Sequence, residues 1–221
     1  SSAASDVYKR QVYLKGIIHA WGISEKKIEV IYNAVSPTEG GTIPQALRAL
    51  PRPIVVTAGR LVPWKNVDGV IRAVARTSAS LAIIGDGPER PRLTSLARET
   101  LRERCVFLGT LSHADTQSAI RHADIFVLHS SYEGLSHLLI EALMNGKAIV
   151  ATRTGGNTEL ITGDNGILTP VGDDTALSDA LTDILAHDEK RSLLETRARA
   201  SSTRFSLDTL LDTTASFLKN L

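Results

Sequence analysis

Two glutamates stand eight residues apart in the stretch Ser130-Ser131-Tyr132-Glu133-Gly134-Leu135-Ser136-His137-Leu138-Leu139-Ile140-Glu141-Ala142-Leu143. Glu133 follows a short apolar run and falls in a loop, whereas Glu141 lies inside a helical stretch. Leu138, Leu139, Ile140, Ala142, Leu143 and Met144 surround Glu141 with apolar neighbours on nearly every side. A helix that is apolar all round is buried, and a carboxylate inside it is costly unless paired or hydrogen-bonded. Two chemistries meet that requirement: an ion pair with an arginine or lysine, or a carboxylate accepting hydrogen bonds from ligand hydroxyls. A second loop, Gly59-Arg60-Leu61-Val62-Pro63-Trp64-Lys65, carries two cations towards a helix N-terminus. Cations there oppose the helix dipole, yet with the free backbone amides they complete an anion site. The plain alternative is two solvated surface charges.

Other loops carry weaker signals. Gly85-Asp86-Gly87-Pro88 lacks the third glycine of a dinucleotide fingerprint, since Arg90 stands in its place. The next strand ends at Leu108-Gly109-Thr110 without an acidic residue for a ribose, which disfavours a nicotinamide dehydrogenase. Glycines there still allow a ligand close to the backbone. Thr154-Gly155-Gly156-Asn157-Thr158-Glu159 places a glycine pair at another helix start, a pattern common in turns. His137 and Glu141 share a helix face, but no H-E-x-x-H pattern accompanies them, and His113, His122 and His129 lie on other elements. No metal site is expected. Gly-x-Ser-x-Gly is absent, and the single cysteine, Cys105, excludes a disulfide framework and suits a reducing compartment.

The elements that must position these residues follow from the apolar pattern of the 221-residue chain, which is 43% hydrophobic and 22% charged. Short apolar runs at residues 54–58, 81–84, 105–108, 125–128, 148–151 and 167–168 read as strands. Helical patterns fall at about 66–76, around Leu93, Leu96, Ala97 and Leu101, after an N-cap at Ser112, at 136–144, and briefly before Ile161. Beyond Gly172 only helical patterns remain. Continuous apolar strands separated by helices imply a parallel sheet buried on both faces, with right-handed crossovers. The expected fold is α/β, a doubly wound, Rossmann-like parallel sheet with a C-terminal helical extension from about residue 173. Residues 1–11 show no period and read as a disordered lead-in or a scar of assembly. Residues 12–53 include a strand-like stretch at 27–32 and a breaker-rich linker at 36–53. In such sheets ligands bind beyond the carboxyl ends of the strands, at loops starting here at Gly59, Gly85, Gly109, Ser130 and Thr152.

Lys and Arg total 25 against 24 Asp and Glu, a net charge of +1, which argues against a non-specific nucleic-acid binder. No run approaches the ~18 apolar residues of a spanning helix, and no signal-peptide core is present, so the expected address is cytoplasmic. Mixed charges at Asp188, Glu189, Lys190, Arg191, Glu195, Arg197, Arg199 and Arg204 read as a solvated face, with contact at a membrane surface as the alternative.

The Glu133-to-Glu141 spacing resembles the E-x7-E motif of retaining glycosyltransferases of the GT-B fold, family 4 (glycosyltransferase group 1). Val30-Ile31-Tyr32-Asn33-Ala34-Val35 is similar to their V-I-P-N-G-V segment, and the 59–65 loop to their G-R-L-x-x-x-K. Gly85-Asp86-Gly87-Pro88 resembles G-x-G-P, and Val106-Phe107-Leu108-Gly109 resembles V-x-F-L-G. Residues 146–152 resemble G-x-P-V-V-A-T, and Gly155 to Glu159 resemble G-G-x-x-E. The resemblance runs from about residue 12 to the end, with the motifs in the family's order.

By that resemblance the chain is the C-terminal, nucleotide-sugar-binding half of such an enzyme. Arg60 and Lys65, leading from Gly59, would hold the donor diphosphate, and Glu133 would face the donor hexose; these three are the expected catalytic set. Glu141 would accept hydrogen bonds from the ribose, and amides around Gly134, Leu135 and Ser136 would cradle the phosphates. Gly85 and Gly87 would let the donor approach, and Gly109, Thr110 and Leu111 would border the base. Cations and helix amides suit a pyrophosphate leaving group, so no cofactor or metal is required beyond the nucleoside-diphosphate sugar substrate. The sequence departs from the pattern at Ala34, Ser36, Asn66, Ala148, Leu135 and Ser136, which touches donor identity more than donor binding. Residues ~12–35 would be the tail of an N-terminal domain that receives a glycan, lipid or small-molecule acceptor, and the helix near 206–221 would pack back across it. The chain alone is then expected to be inactive as a transferase, with peripheral contact at the inner membrane face where the acceptor is a lipid. Alternatives are a sugar-nucleotide epimerase, a pyridoxal-phosphate-dependent phosphorylase of the same architecture, or a non-catalytic nucleotide-sugar-binding module.

Overall fold

The computed structural model describes residues 7–9, 12–36, 38 and 40–219. Near the N-terminus, strand β1 (Val7–Lys9), helix α1 (Val12–Ala20) and strand β2 (Ile28–Val30) form a small unit in which β1 and β2 pair in parallel. Helix α2 (Gln45–Arg48) follows. The main body is a sheet of six parallel strands: β3 (Ile54–Ala58), β4 (Ser80–Ile84), β5 (Cys105–Gly109), β6 (Ile125–Leu128), β7 (Ala148–Thr152) and β8 (Ile167–Thr169). Between them run α3 (Val67–Ala75), α4 (Arg90–Thr100), α5 (His113–His122), α6 (His137–Met144) and α7 (Asn157–Leu160). Helices α8 (Asp174–Ala186), α9 (Asp188–Ser201) and α10 (Leu207–Lys219) end the chain.

The strands β3, β4, β6 and β7 are buried at every position, as apolar runs between two helical layers must be. Their side chains alternate between two cores with the period of two that a strand imposes. Val56, Ala58, Phe126, Leu128, Ile149 and Ala151 face one core, closed by Leu139, Ile140 and Leu143 of α6. Val55, Ile125, Val127 and Val150 face the other, closed by Val67, Val70, Ile71 and Val74 of α3 and by Leu177 and Leu181 of α8. Ser112 caps α5 by accepting from the Asp115 amide at 3.1 Å, and Ser136 caps α6 by accepting from the Leu139 amide at 3.3 Å.

The doubly wound parallel sheet and its helical extension agree with expectation. Two readings of the N-terminal region are corrected. Val7–Lys9 forms a strand, too short for its period to show against the background of residues 1–11; residues 1–6, 10 and 11 lie outside those described. The 36–53 stretch is more than a linker, because it contains α2 with Leu47 fully buried in the main core, beside Val35 and Leu50. A run of only four helical residues between prolines gives no periodic signal. Tyr32 ties this segment down: its hydroxyl donates to Glu159 at 3.0 Å, and its ring meets Phe205 edge-on at 5.5 Å. Among the described residues, no helix is long and apolar enough to cross a membrane.

Candidate functional site

The strand order is β5-β4-β3-β6-β7-β8, so the chain winds outward in one direction from β3 and in the other from β6. Crossovers that leave two adjacent strands on opposite sides open a crevice at their carboxyl ends. The walls of that crevice are residues 59–66 after β3 and residues 129–136 after β6. They bring Lys65 and Glu133 together: Lys65 Nζ donates to Glu133 Oε1, with side chains 19% and 11% exposed.

Several bonds hold these loops in register. The Ser131 amide donates to the Trp64 carbonyl at 2.7 Å. Asn66, in the left-handed conformation at φ 47°, donates through Nδ2 to Ser131 Oγ at 2.7 Å and to the His129 carbonyl at 3.2 Å. Thr154 Oγ1 donates to the Ser131 carbonyl at 3.1 Å. Gly155, at φ +46°, packs so tightly that a Cβ there would lie 1.9 Å from the Glu133 carbonyl oxygen. Contacts from Trp64, Asn66, Thr154 and Gly155 thus brace the two loops that carry the Lys65–Glu133 pair.

Next to the pair, a groove of about 350 Å³ is lined by Gly59, Arg60, Gly85, Thr110 and Leu111 among others. Glycine is required at Gly85, where a Cβ would sit 1.9 Å from the Gly59 carbonyl oxygen, and at Gly87, where it would sit 2.4 Å from that of Leu61. The Gly85 amide donates to the Gly109 carbonyl at 2.8 Å, which ties the end of β5 to this wall of the groove. Arg60 is exposed and, among the described residues, makes no ion pair. Asp86 is on the same groove; the Gly87 amide and the Arg90 guanidinium at 2.5 Å hold its carboxyl below the usual range, so its charge is already matched. Cys105 starts β5 at the opposite end of the sheet, and burial pushes its thiol up to about 12.

At the far side of the crevice, Glu141 is 7% exposed on α6. Its Oε2 accepts from Gln117 Nε2, and its Oε1 lies 3.1 Å from His113 Nε2. No arginine or lysine pairs with it among the described residues. Gln117 Oε1 in turn accepts from Asn145 Nδ2 at 2.5 Å. Gly134, Leu135 and Ser136, all half-buried or buried, lead into the N-terminus of α6 between Glu133 and Glu141. There His137 meets Asn33, 3.0 Å from its Nδ2.

Residues 42–201 match the family model for glycosyl transferases group 1. The chain belongs to that family. Among curated group 1 relatives, it is 36% identical over 148 residues to a GDP-mannose-dependent alpha-mannosyltransferase of Mycobacterium tuberculosis, covering 66% of this chain and 38% of that protein. It is 29% identical over 197 residues to the N-acetylgalactosamine-N,N'-diacetylbacillosaminyl-diphospho-undecaprenol 4-alpha-N-acetylgalactosaminyltransferase of Campylobacter jejuni, covering 87% of this chain and 53% of that protein. The fold superimposes on Anabaena Alr3699/HepE, solved in complex with UDP, with a TM-score of 0.86 and 26% identity; the match covers 99% of this chain and 64% of that one. The chain therefore spans about half the length of the curated group 1 relatives it matches.

The group 1 residues named from sequence converge on one crevice. Gly59, Arg60, Gly85, Thr110 and Leu111 share the groove; Gly87 packs on the Leu61 carbonyl and Gly109 accepts from the Gly85 amide; Lys65 and Glu133 meet beside it. Lys65 is not a free cation, because Glu133 already holds it. Asn66 departs from the group 1 glycine but keeps the left-handed backbone that a glycine supplies, and its amide adds two bonds that a glycine lacks. Sequence reasoning missed Gln117, His113 and Asn145, which hold Glu141. A search for donors one helix turn apart from a buried carboxylate on a neighbouring helix would have pointed at Gln117. It also left Gly155 as an ordinary turn glycine, because nothing local in Gly-Gly announces the Glu133 carbonyl above it. No group of three or more His, Cys, Asp or Glu side chains that could hold a metal occurs among the described residues.

Proposed function

We propose that the chain binds a nucleoside-diphosphate sugar in this crevice and serves as the donor half of a retaining glycosyltransferase. The observation that carries this reading is the meeting of Lys65 and Glu133 at the reversal of strand order, beside a groove with Arg60 exposed on its wall. Arg60 and Lys65 hold the diphosphate, and the amides of Gly134, Leu135 and Ser136 supply further donors at the α6 N-terminus. Negative charge grows on the diphosphate as the bond to the sugar breaks, and fixed cations and amides offset it without solvent reorganisation. Glu133 faces the hexose, Glu141 accepts from the ribose, and Thr110 and Leu111 border the base. No metal is assigned a part. The acceptor, a glycan, lipid or small molecule, would be presented by an N-terminal domain of the kind the longer relatives have room for. The reaction would take place in the cytoplasm, at the inner membrane face for a lipid acceptor. The Anabaena neighbour was solved with UDP and with UDP-glucose, which makes UDP the first ligand to try.

Thermal unfolding with UDP, GDP and ADP and their sugar conjugates tests the reading. A ligand at about 100 times its Kd adds ~2.7 kcal/mol, a readily measured shift. Stabilisation by one diphosphate, lost in Glu141→Ala and in the Arg60→Ala/Lys65→Ala double variant, is the expected result. A shift that survives both variants would overturn the site assignment.

A further inference from the structure

Glu141 can recognise a ribose only if its carboxylate points one way before the ligand arrives. Gln117 and Asn145 decide that direction. Asn145 Nδ2 donates to the Glu141 backbone carbonyl at 2.8 Å and to Gln117 Oε1 at 2.5 Å. A carbonyl only accepts, so the nitrogen of Asn145 must face both groups. That leaves the Gln117 carbonyl towards Asn145 and its Nε2 towards Glu141 Oε2. Gln117 is 4% exposed, so water does not substitute freely for either contact. The other carboxylate oxygen, Oε1, lies on the open side: its partner is His113, whose side chain is 53% exposed. A carboxylate oxygen accepts two hydrogen bonds, so Oε1 has capacity for a ligand hydroxyl beside the imidazole. Thr116, the neighbour of Gln117, and Leu138, one turn before Glu141, both line the groove.

We infer that Gln117 is a positioning residue for ribose recognition: its amide, oriented by Asn145, holds Oε2 of Glu141 inward and leaves Oε1 to the donor's ribose hydroxyls. This rests on the reading of the crevice as a nucleotide-sugar site. A carboxylate fixed beforehand does not lose side-chain freedom on binding, and its second oxygen is already satisfied when water leaves the groove. His113 is the outer partner of the same oxygen and is itself bonded to Thr38 Oγ1 at 2.9 Å through Nδ1.

Calorimetric titration tests the inference, using whichever of UDP, GDP and ADP the wild-type chain binds best and the 2′,3′-dideoxy form of that diphosphate. Gln117→Met removes the amide at nearly constant volume, and Gln117→Glu keeps the shape while replacing the donor with a second carboxylate. Wild type is expected to prefer the ribose form by about tenfold or more, the worth of one or two good hydrogen bonds. Either variant that folds should narrow that preference at least about fivefold, with affinity for the dideoxy form within about twofold of wild type. Equal weakening of both ligands would make Gln117 a packing residue and overturn the inference. A full preference retained in the variants would overturn it too, while leaving the site itself intact. Absence of any diphosphate binding by wild type, or no preference for the ribose form, would instead overturn the reading on which it rests.

Discussion

Lys65 and Glu133 come from loops 68 residues apart in the chain, yet the ammonium of one donates to the carboxylate of the other across the crevice between β3 and β6. Both side chains are largely removed from water, so the contact is stronger than a surface pair and also more costly to leave half-made. In the proposed reaction a diphosphate needs the same ammonium. Glu133 and the diphosphate therefore compete for, or share, one cation.

Glu133→Gln follows from that competition. Removing the carboxylate charge is expected to tighten binding of the plain diphosphate by about threefold or more, because a like charge near the phosphates is gone. The same change leaves a mostly buried ammonium without its counter-ion and should lower stability by about 1–3 kcal/mol, below the ~3–5 kcal/mol of a fully buried pair. Calorimetry and urea unfolding measure the two effects. Unaltered diphosphate affinity would mean that Lys65 does not reach the phosphates.

Gly155→Ala and Gly85→Ala should each destabilise by at least about 2 kcal/mol, because both a positive φ and a backbone oxygen 1.9 Å from the new Cβ oppose the methyl group. Gly163→Ala is the control: its φ is +89°, but nothing lies within 4 Å of the added atom. It should cost only the backbone share, about 1–2 kcal/mol. Similar urea midpoints for all three would show that the loops yield easily.

Asn66 separates backbone from side-chain effects. Asn66→Gly retains the left-handed conformation and loses the bonds to His129 and Ser131, at a cost of about 1–2 kcal/mol. Asn66→Ala loses the bonds and strains the backbone as well, adding about 1 kcal/mol. The ranking wild type, glycine, alanine in denaturant midpoint is the expected outcome, and alanine equal to glycine would contradict it.

Acid should weaken the fold before its carboxylates titrate. Burial lowers the affinity of His129 for a proton, outweighing Asp174, whose Oδ1 is 3.3 Å from Nε2; burial and then Arg52 lower that of His122. A histidine whose folded pKa lies below the unfolded one binds more protons when unfolded, so stability rises with pH through that interval. The melting temperature is therefore expected to fall as pH drops through about 6.5, the unfolded value, and to level off below the folded values. Asp68 stays charged through that window: burial pushes it up, but Arg72 and Arg92 more than offset this and hold it below 3.8. His129→Gln should flatten the slope, and an unchanged slope would assign it elsewhere.

Much of the fold was legible because the central strands are short, mainly apolar runs and helices such as α3 carry an apolar stripe. Where an element was too short to show a period, only the folded chain revealed it: Val7–Lys9 by its pairing with Ile28–Val30, Gln45–Arg48 by the burial of Leu47. Of the candidate site, Arg60, Lys65 and Glu141 stood out by residue type and position, since cations at a helix start and a carboxylate among leucines are both locally unfavourable and call for a partner; Glu133 stood out as a loop carboxylate eight residues before Glu141.

The partners themselves were not readable. The sequence left Glu141 with either a cation or ligand hydroxyls as partner, whereas the folded chain supplies Gln117 and His113 from α5, and it is Lys65 that finds a carboxylate, in Glu133. By itself the sequence determined that this is a wound parallel sheet with charged loops at its strand ends, because periodicity and burial are properties of consecutive residues. Only the tertiary structure decided which loops meet, which glycine yields to which carbonyl, and which oxygen of Glu141 is left to the groove. Those depend on strand order and on packing between segments distant in the chain, and no local pattern encodes them.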